Sequence, residues 1–563
     1  MKTSTFLKAG LACQLAALLA GAGCGRPQAP GETFDLLIRN GRVVDGTGNP
    51  WFRADVGVNA GRISMIGNLS AASGKSLIDA EGLVVSPGFI DIHNHSDLDL
   101  TVDSRAESMV RQGVTTMVIG NCGESGAPSK EWPTVGAYLA GLEKKGVAVN
   151  VSALVGHGNL REVVLNAAGR LPTPEELEKM KALVAQAMKD GAIGLSSALA
   201  YAPGMFADTE EMVELCRVVA RHGGIYATHI RSDGPAWEKS VREAIETSEK
   251  SGVPLQISHL ESHYPNWGQQ DRILRLLEET RARGLEVTTD IPPYLCGQTG
   301  IYTLLPPWAL DGGTPRIVER LRNPAEREKI KEWIMTKKEE HVMPTATLVA
   351  DGHPENIWIV RSRKNPDCSG KNFAEIGAIK GKDPLDAVLD VIAEEEAYMS
   401  IVMEHHFEED MRRLIAHPLS MIETDGHALA PRGPLGEGSP HPRCYGTFPL
   451  LFRKYVRGET RVEEPREPGQ KLLSLEEAVR KSTSFPAQKL RFRDRGLVRE
   501  GMQADIVIFD PLTITDKATY ANPHQFPEGI AYVLVNGQVV VERGNQTDRL
   551  AGRVLRGPGY AAR

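Results

Sequence analysis

The sequence predicts an α/β protein: a closed (β/α)8 TIM-like barrel beside a small, discontinuous β-sandwich built from both chain ends. From about residue 89, short apolar runs alternate with amphipathic helical stretches, the rhythm of βαβ units and a parallel sheet. About eight such runs fit, which points to a closed barrel. Segments with β pattern stand at both ends, over 34–88 and 491–563, so that the ends can meet as one unit. At 563 residues the chain is also too long for one ordinary core.

The first residues form a separate segment. Lys2 and Lys8 precede and enter an apolar, small-residue run, AGLACQLAALLAGAG at 9–23, and Cys24 follows. The run is too short to span a bilayer and reads as a bacterial secretory signal. The small residues before Cys24 resemble a lipobox, with Gly21 where leucine is usual. Lipid attachment at Cys24 and plain cleavage nearby both stand, and residues 25–33 would be a tether. The expectation is an exported protein, periplasmic or anchored to the membrane.

Over 34–88, FDLLIRNGRVVDGTG alternates apolar and polar residues and carries a turn signal at Asn40-Gly41. The barrel, expected over 89–490, takes its strands from 89–93, TTMVIGN, VNVSALVGHG, AIGLSSA, IYATHIR, PLQISHL, EVTTDIPPY and LSMIETDG. A helix starts at Thr173-Pro174, where proline and the following glutamates suit the first turn. The stretch of about 305–415 is irregular and reads as a helical insertion, placed to act as a lid. RGLVREGMQADIVIFDP and AYVLVNGQVVVERG return to β pattern, with a second turn signal at Asn536-Gly537.

The chain is 41% hydrophobic and 24% charged, the composition of a soluble globular protein. A formal charge of −7 and the lack of a basic stripe exclude a nucleic-acid footprint and leave small molecules as the default partner. Outside the leader there are five scattered cysteines, Cys122, Cys216, Cys296, Cys368 and Cys444, which do not form a disulfide framework.

The chemistry sits at the strand ends. In GFIDIHNHSD, His93 and His95 are two apart at the end of an apolar strand, so alternation puts both imidazoles on one face, a good divalent-metal arrangement. His229 ends another strand in YATHIR, His259 the next in QISHLES, Cys122 the second in GNCGES, and Asp425 the last in IETDG. Each has a plain alternative when taken singly: a polar turn, a satisfied core histidine, a buried apolar cysteine. All six, however, occupy equivalent positions at the carboxyl ends of strands, the face on which barrel active sites lie.

Together HNH at 93–95, GNCG at 120–123, ATHIR at 227–231, ISH at 257–259 and TDG at 424–426 resemble the motifs of the amidohydrolase superfamily. Within it they resemble the D-aminoacylase (N-acyl-D-amino-acid deacylase) family, marked by a second-strand cysteine in place of a carboxylated lysine. GHGNLR, HPRCYGTFP and RGLVREGMQADIVIFDP extend the likeness from about residue 34 to the end. The resemblance implies zinc-dependent hydrolysis of N-acyl-D-amino acids. Cys122, His229 and His259 would hold a tight zinc. His93 and His95, with Cys122 as a bridge, would hold a second, weaker one, and Asp425 would be the catalytic carboxylate. Such a carboxylate can shuttle the proton while zinc activates water and polarises the carbonyl. A thiolate ligand also accounts for a free cysteine in an oxidising compartment.

A product bearing an α-carboxylate calls for a cation, for which Arg231 and Arg443 are candidates. His157, Tyr201 and Tyr294 resemble substrate-contacting positions. Two departures stand out: the run Leu260-Glu261-Ser262 lacks a lysine common after ISH, and Pro292 replaces a common tyrosine. Two further readings share the fold, a D-residue dipeptidase and a cyclic-amide hydrolase of the dihydropyrimidinase kind. The cysteine of GNCG speaks against the latter. A surface binding protein that has lost catalysis is the reading from another class.

Overall fold

The computed structural model describes residues 33–561 except 398 and 462–469. The leader and Cys24 therefore lie outside the described residues, as does nearly all of the tether. No helix among the described residues is long and apolar enough to cross a membrane.

The chain opens with β1 (Thr33–Val43), β2 (Phe52–Asn59), β3 (Arg62–Gly67), β4 (Ser73–Asp79) and β5 (Val84–Pro87). Eight parallel barrel strands are then shared by β6 (Phe89–Asp91), β7 (Val114–Ile119), β8 (Asn150–Gly156), β9 (Gly194–Ala198), β10 (Ile225–His229), β11 (Leu255–Ile257), β12 (Val287–Ile291) and, after an insertion, β16 (Ser420–Ile422). Between them the insertion carries β13 (Cys296–Gly300), β14 (Ile357–Ile359) and β15 (Ser400–Glu404). The chain closes with β17 (Ile506–Phe509), β18 (Ile530–Val535), β19 (Gln538–Glu542) and β20 (Asn545–Gln546).

The barrel strands are the expected ones, and the residues of β7 to β12 are buried throughout. That burial on both faces is why these strands read as continuous apolar runs. The helix Pro174–Asp190 begins where expected, with a reciprocal capping box between Thr173 and Glu176. The ring closes between its first and last strands. Asn94 bridges Gly426 in parallel, the His95 amide donates to the Gly426 carbonyl (2.8 Å), and the Asp425 amide donates to the His93 carbonyl (3.0 Å).

The two chain ends meet through β5 and β17, which pair antiparallel within one nine-stranded sheet. Leu36, Ile38, Val56, Val85, Ile506 and Ile508 form its core. The insertion differs from the helical stretch expected over about 305–415. It starts earlier, at β13, and its helices pack with an antiparallel sheet in the order β13-β15-β14 around their own core. β13, CGQTG, has no apolar run to announce it; its order comes from pairing with β15.

Phe89 joins barrel to sandwich. It is fully buried, with ring centroids 4.9 Å from Phe448, 5.6 Å from Phe452 and 6.4 Å from Phe509. Phe89→Ala should cost about 3–5 kcal/mol through lost burial and the cavity left behind. A denaturant titration against wild type measures this, and a change below about 1 kcal/mol would show that the junction repacks.

Candidate metal centre and catalytic site

The strand ends bring five donors and one carboxylate together. Cys122 Sγ lies 3.3 Å from His93 Nε2 and 3.7 Å from His259 Nε2. His259 Nε2 is 3.0 Å from His229 Nδ1. His93 Nε2 is 3.3 Å from His95 Nε2, and Asp425 Oδ1 is 2.9 Å from His95 Nε2 and 3.5 Å from His93 Nε2. Two compact donor groups result, His93–Cys122–His259 and His93–His95–Asp425, with His93 common to both. The first group has His93 where the sequence suggested His229; His229 adjoins it through His259.

The local backbone is strained where the donors sit. Cys122, His259 and Asp425 have φ of +49°, +33° and +44°, in the left-handed region that L side chains avoid. Such residues cost on the order of 1–3 kcal/mol each and persist only where the surroundings fix them. Here buried carboxylates do so. Asp97 accepts from the amides of Gly120 and Gly126 (2.9 Å each), clamping the loop that carries Cys122. Asp290 accepts from the His259 amide at 2.6 Å and from Gln256 Nε2 at 2.6 Å. Asp91 accepts from the Thr424 amide (2.9 Å), Thr424 Oγ1 (2.6 Å) and Asn94 Nδ2 (2.8 Å), holding Asp425 one residue on. The first glycine of GNCG is required as well: a Cβ on Gly120 would meet the Leu154 carbonyl oxygen at 2.4 Å.

The far ring nitrogens face carboxylates too. His229 Nε2 lies 3.0 Å from Asp233 Oδ2, and His93 Nδ1 lies 3.7 Å from Asp290 Oδ1. Carboxylates behind metal-ligating histidines orient the rings and raise their basicity. Burial pushes the Cys122 thiol up, but His93, His229 and His259 outweigh it and hold it well below the ordinary thiol value. Burial likewise disfavours charge on His229, yet Asp233 and Cys122 raise it to about 10. Burial raises Asp425, but Arg443, His95 and His93 bring it well below the usual carboxylate range. A thiolate and carboxylates thus draw positive charge into this cluster, and a divalent ion suits the same donors. Imidazole with thiolate favours a borderline-soft metal over magnesium or calcium.

The remaining sequence candidates divide. Arg443 Nη1 donates to Asp425 Oδ2 at 2.7 Å, while its Nε has no partner among the described residues. Tyr201 lies 4.8 Å from the His229 ring and bonds Thr299 Oγ1 at 2.9 Å, where barrel meets insertion. Tyr294 is buried edge-on to His441. Arg231 is differently placed: it pairs with Glu243 through Nε (2.8 Å) and Nη2 (2.7 Å) and donates to the Met205 and Ala207 carbonyls. Its guanidinium is committed to the scaffold. His157 is buried against Glu211 (2.8 Å), which also binds Arg161, and it is not among the converging donors. Sequence reasoning missed Asp91, Asp97, Asp233 and Asp290. Asp91 and Asp97 flank the two-histidine motif and Asp290 stands in TTDI, but only long-range pairing shows their use.

The chain was compared with known proteins. The amidohydrolase family model matches residues 76–306 and 372–541, and the gap falls within the insertion. A D-aminoacylase of Alcaligenes xylosoxydans xylosoxydans is 34% identical over 546 residues, covering 94% of this chain and 99% of that protein. The crystal structure of N-acyl-D-glutamate deacylase from Bordetella bronchiseptica, complexed with zinc and a phosphonate mimic of the tetrahedral intermediate, has a TM-score of 0.76 at 32% identity, covering 93% of this chain and all of that one. A D-aminoacylase structure described by its binuclear metal centre, with activation by one metal and attenuation by a second, has a TM-score of 0.76 at 33% identity and the same coverage.

Asp290→Ala should weaken transition-metal affinity by about 10–100-fold, because His259 loses the group that fixes its backbone. Competition with a chromophoric chelator reads this out. Unchanged affinity would mean that the His259 loop holds its shape without the carboxylate.

Proposed function

This chain belongs to the amidohydrolase family, in its D-aminoacylase branch, and from that premise we propose that it hydrolyses the amide bond of N-acyl-D-amino acids with zinc as cofactor. The products are a D-amino acid and a carboxylate. The observation that carries this reading is the convergence of Cys122, His93, His229 and His259 with Asp425 opposite them at one mouth of the barrel.

Cys122, His229 and His259, with His93 at hand, are the residues to hold the tight zinc. His93, His95 and Asp425 form the group suited to a second, weaker ion. When bound, zinc supplies Lewis-acid activation of water and polarisation of the amide carbonyl.

The chain's own residues do the rest. Asp425, kept ionised beside Arg443 and His95, accepts the proton of the attacking water. It then delivers that proton to the departing nitrogen, so that the amine leaves neutral as the C–N bond breaks. His95, 2.9 Å from Asp425 Oδ1, fixes which oxygen faces the donors. Arg443, whose Nε has no partner among the described residues, is the cation with capacity for the α-carboxylate, since Arg231 already holds Glu243 and the Met205 and Ala207 carbonyls. Its bond to Asp425 places the carboxylate-binding group next to the proton carrier. Tyr201, against His229 and tied to β13 of the insertion, walls the substrate side of the cluster. We also propose export of the protein, on the leader-like character of residues 1–24.

Two tests follow. Asp425→Asn should retain the tight zinc and lose about 10²–10⁴-fold in turnover; near-full activity would assign the proton transfers to another group. A panel of N-acetyl-D- and N-acetyl-L-amino acids, with a D-dipeptide and a hydantoin, should show turnover concentrated on the N-acyl-D compounds. Preferential ring opening of the hydantoin would move the enzyme to the cyclic-amide branch.

A further inference from the structure

Behind the catalytic centre lies a second histidine cluster with no part in the reaction above. His263 follows β11 on the loop beyond His259, while His405 and His406 follow β15 at the exit of the insertion. All three are buried, as is Glu261. One ring nitrogen from each histidine can be chosen so that all three lie within 4.8 Å of one another. The ring centroids are 4.4 Å (His263–His405), 4.7 Å (His263–His406) and 4.0 Å (His405–His406) apart.

Hydrogen bonding within the protein does not account for the cluster. Both nitrogens of His263, both of His405, Nε2 of His406 and Oε2 of Glu261 have no partner among the described residues. The nearest carboxylate oxygens stand off. Glu261 Oε1 is 3.4 Å from His406 Nε2 and 3.9 Å from His263 Nε2, and Asp233 Oδ2 is 3.6 Å from His263 Nδ1. Leaving a buried polar group unsatisfied costs on the order of 1–3 kcal/mol, so so many in one place call for a shared partner.

The surroundings suit a cation. His406 Nδ1 donates to the Tyr294 carbonyl at 2.7 Å, which fixes the tautomer and leaves the Nε2 lone pair for a ligand. The His405 carbonyl accepts from the Tyr264 amide (2.9 Å) and from Trp267 Nε1 (2.8 Å), and His263 bridges His406 in the backbone. The rings are therefore held at preset positions.

We propose that His263, His405 and His406, with Glu261 as the fourth donor, form a second transition-metal site that fastens the insertion to the barrel. Three imidazoles and a carboxylate select zinc-like ions over magnesium and calcium. Asp233 lies between His263 and His229, which puts the site one carboxylate away from the catalytic ligands. The assignment does not depend on the substrate of the enzyme.

Metal counting on the full chain tests it. A Cys122→Ala/His93→Ala variant lacks the thiolate and the imidazole common to both donor groups of the catalytic centre. After chelation, reloading with Zn2+ and desalting, this variant should retain about one equivalent of zinc. Its Co2+ form should show ligand-field bands without a thiolate charge-transfer band. Retention of no metal by this variant, with a wild-type circular dichroism spectrum, would overturn the proposal. In the otherwise unaltered chain, His405→Gln/His406→Gln should hold about one equivalent less than wild type and keep the thiolate band. Equal metal content in that variant and wild type would also overturn it. If that variant does not fold, the first arm decides alone.

Discussion

One buried carboxylate closes the ring on which everything else hangs. Asp91 ends the first barrel strand and takes three hydrogen bonds, two from Thr424 beyond the last strand and one from Asn94. The same junction sets His93, His95 and Asp425 in register through the His93–Asp425 and His95–Gly426 backbone bonds. Metal ligands and proton carrier are therefore positioned by a single closure. Burial raises Asp91 to about 6 against the pull of these hydrogen bonds; they make its burial tolerable and so couple fold to site.

A second constraint is electrostatic. Cys122, Asp425, Asp290, Glu423 and Asp233 bring negative charge or its potential into one buried volume, faced by four imidazoles and Arg443. A divalent cation would balance that charge. With one, neutral imidazoles become ligands and the carboxylates behind them orient the rings. Left-handed backbone at Cys122, His259 and Asp425 fits this picture, since three strained residues are held where their side chains converge. Asp233 extends the set toward His263, and its amide donates to the Val342 carbonyl of the insertion at 3.0 Å, which ties the insertion to the catalytic ligands.

Much of this was legible in the sequence, because strand ends carry local signals. The barrel strands showed as apolar runs, and the six site residues could be read at the ends of those runs. The supporting carboxylates could not. Asp97 matters through amides beyond β7, Asp91 through a threonine just past the last strand, and Asp290 through an amide on the neighbouring loop; none of these pairings has a sequence period. Arg231 was legible as a cation near His229 but not as one neutralised by Glu243, since that partner lies on a separate helix. His405 and His406 sit in the irregular insertion and meet His263 only because β15 ends against the β11 loop. The strand β13 likewise exists through its partner, not through its own composition.

The most direct measurement is X-ray absorption at the zinc edge of the full chain loaded with one equivalent of zinc, beside Cys122→Ser. Wild type should show one sulfur near ~2.3 Å among nitrogen ligands at about 2.0–2.1 Å, and the variant should lose the sulfur shell. A first shell of nitrogen and oxygen alone in wild type would contradict the convergence of Cys122 with the histidines on one ion.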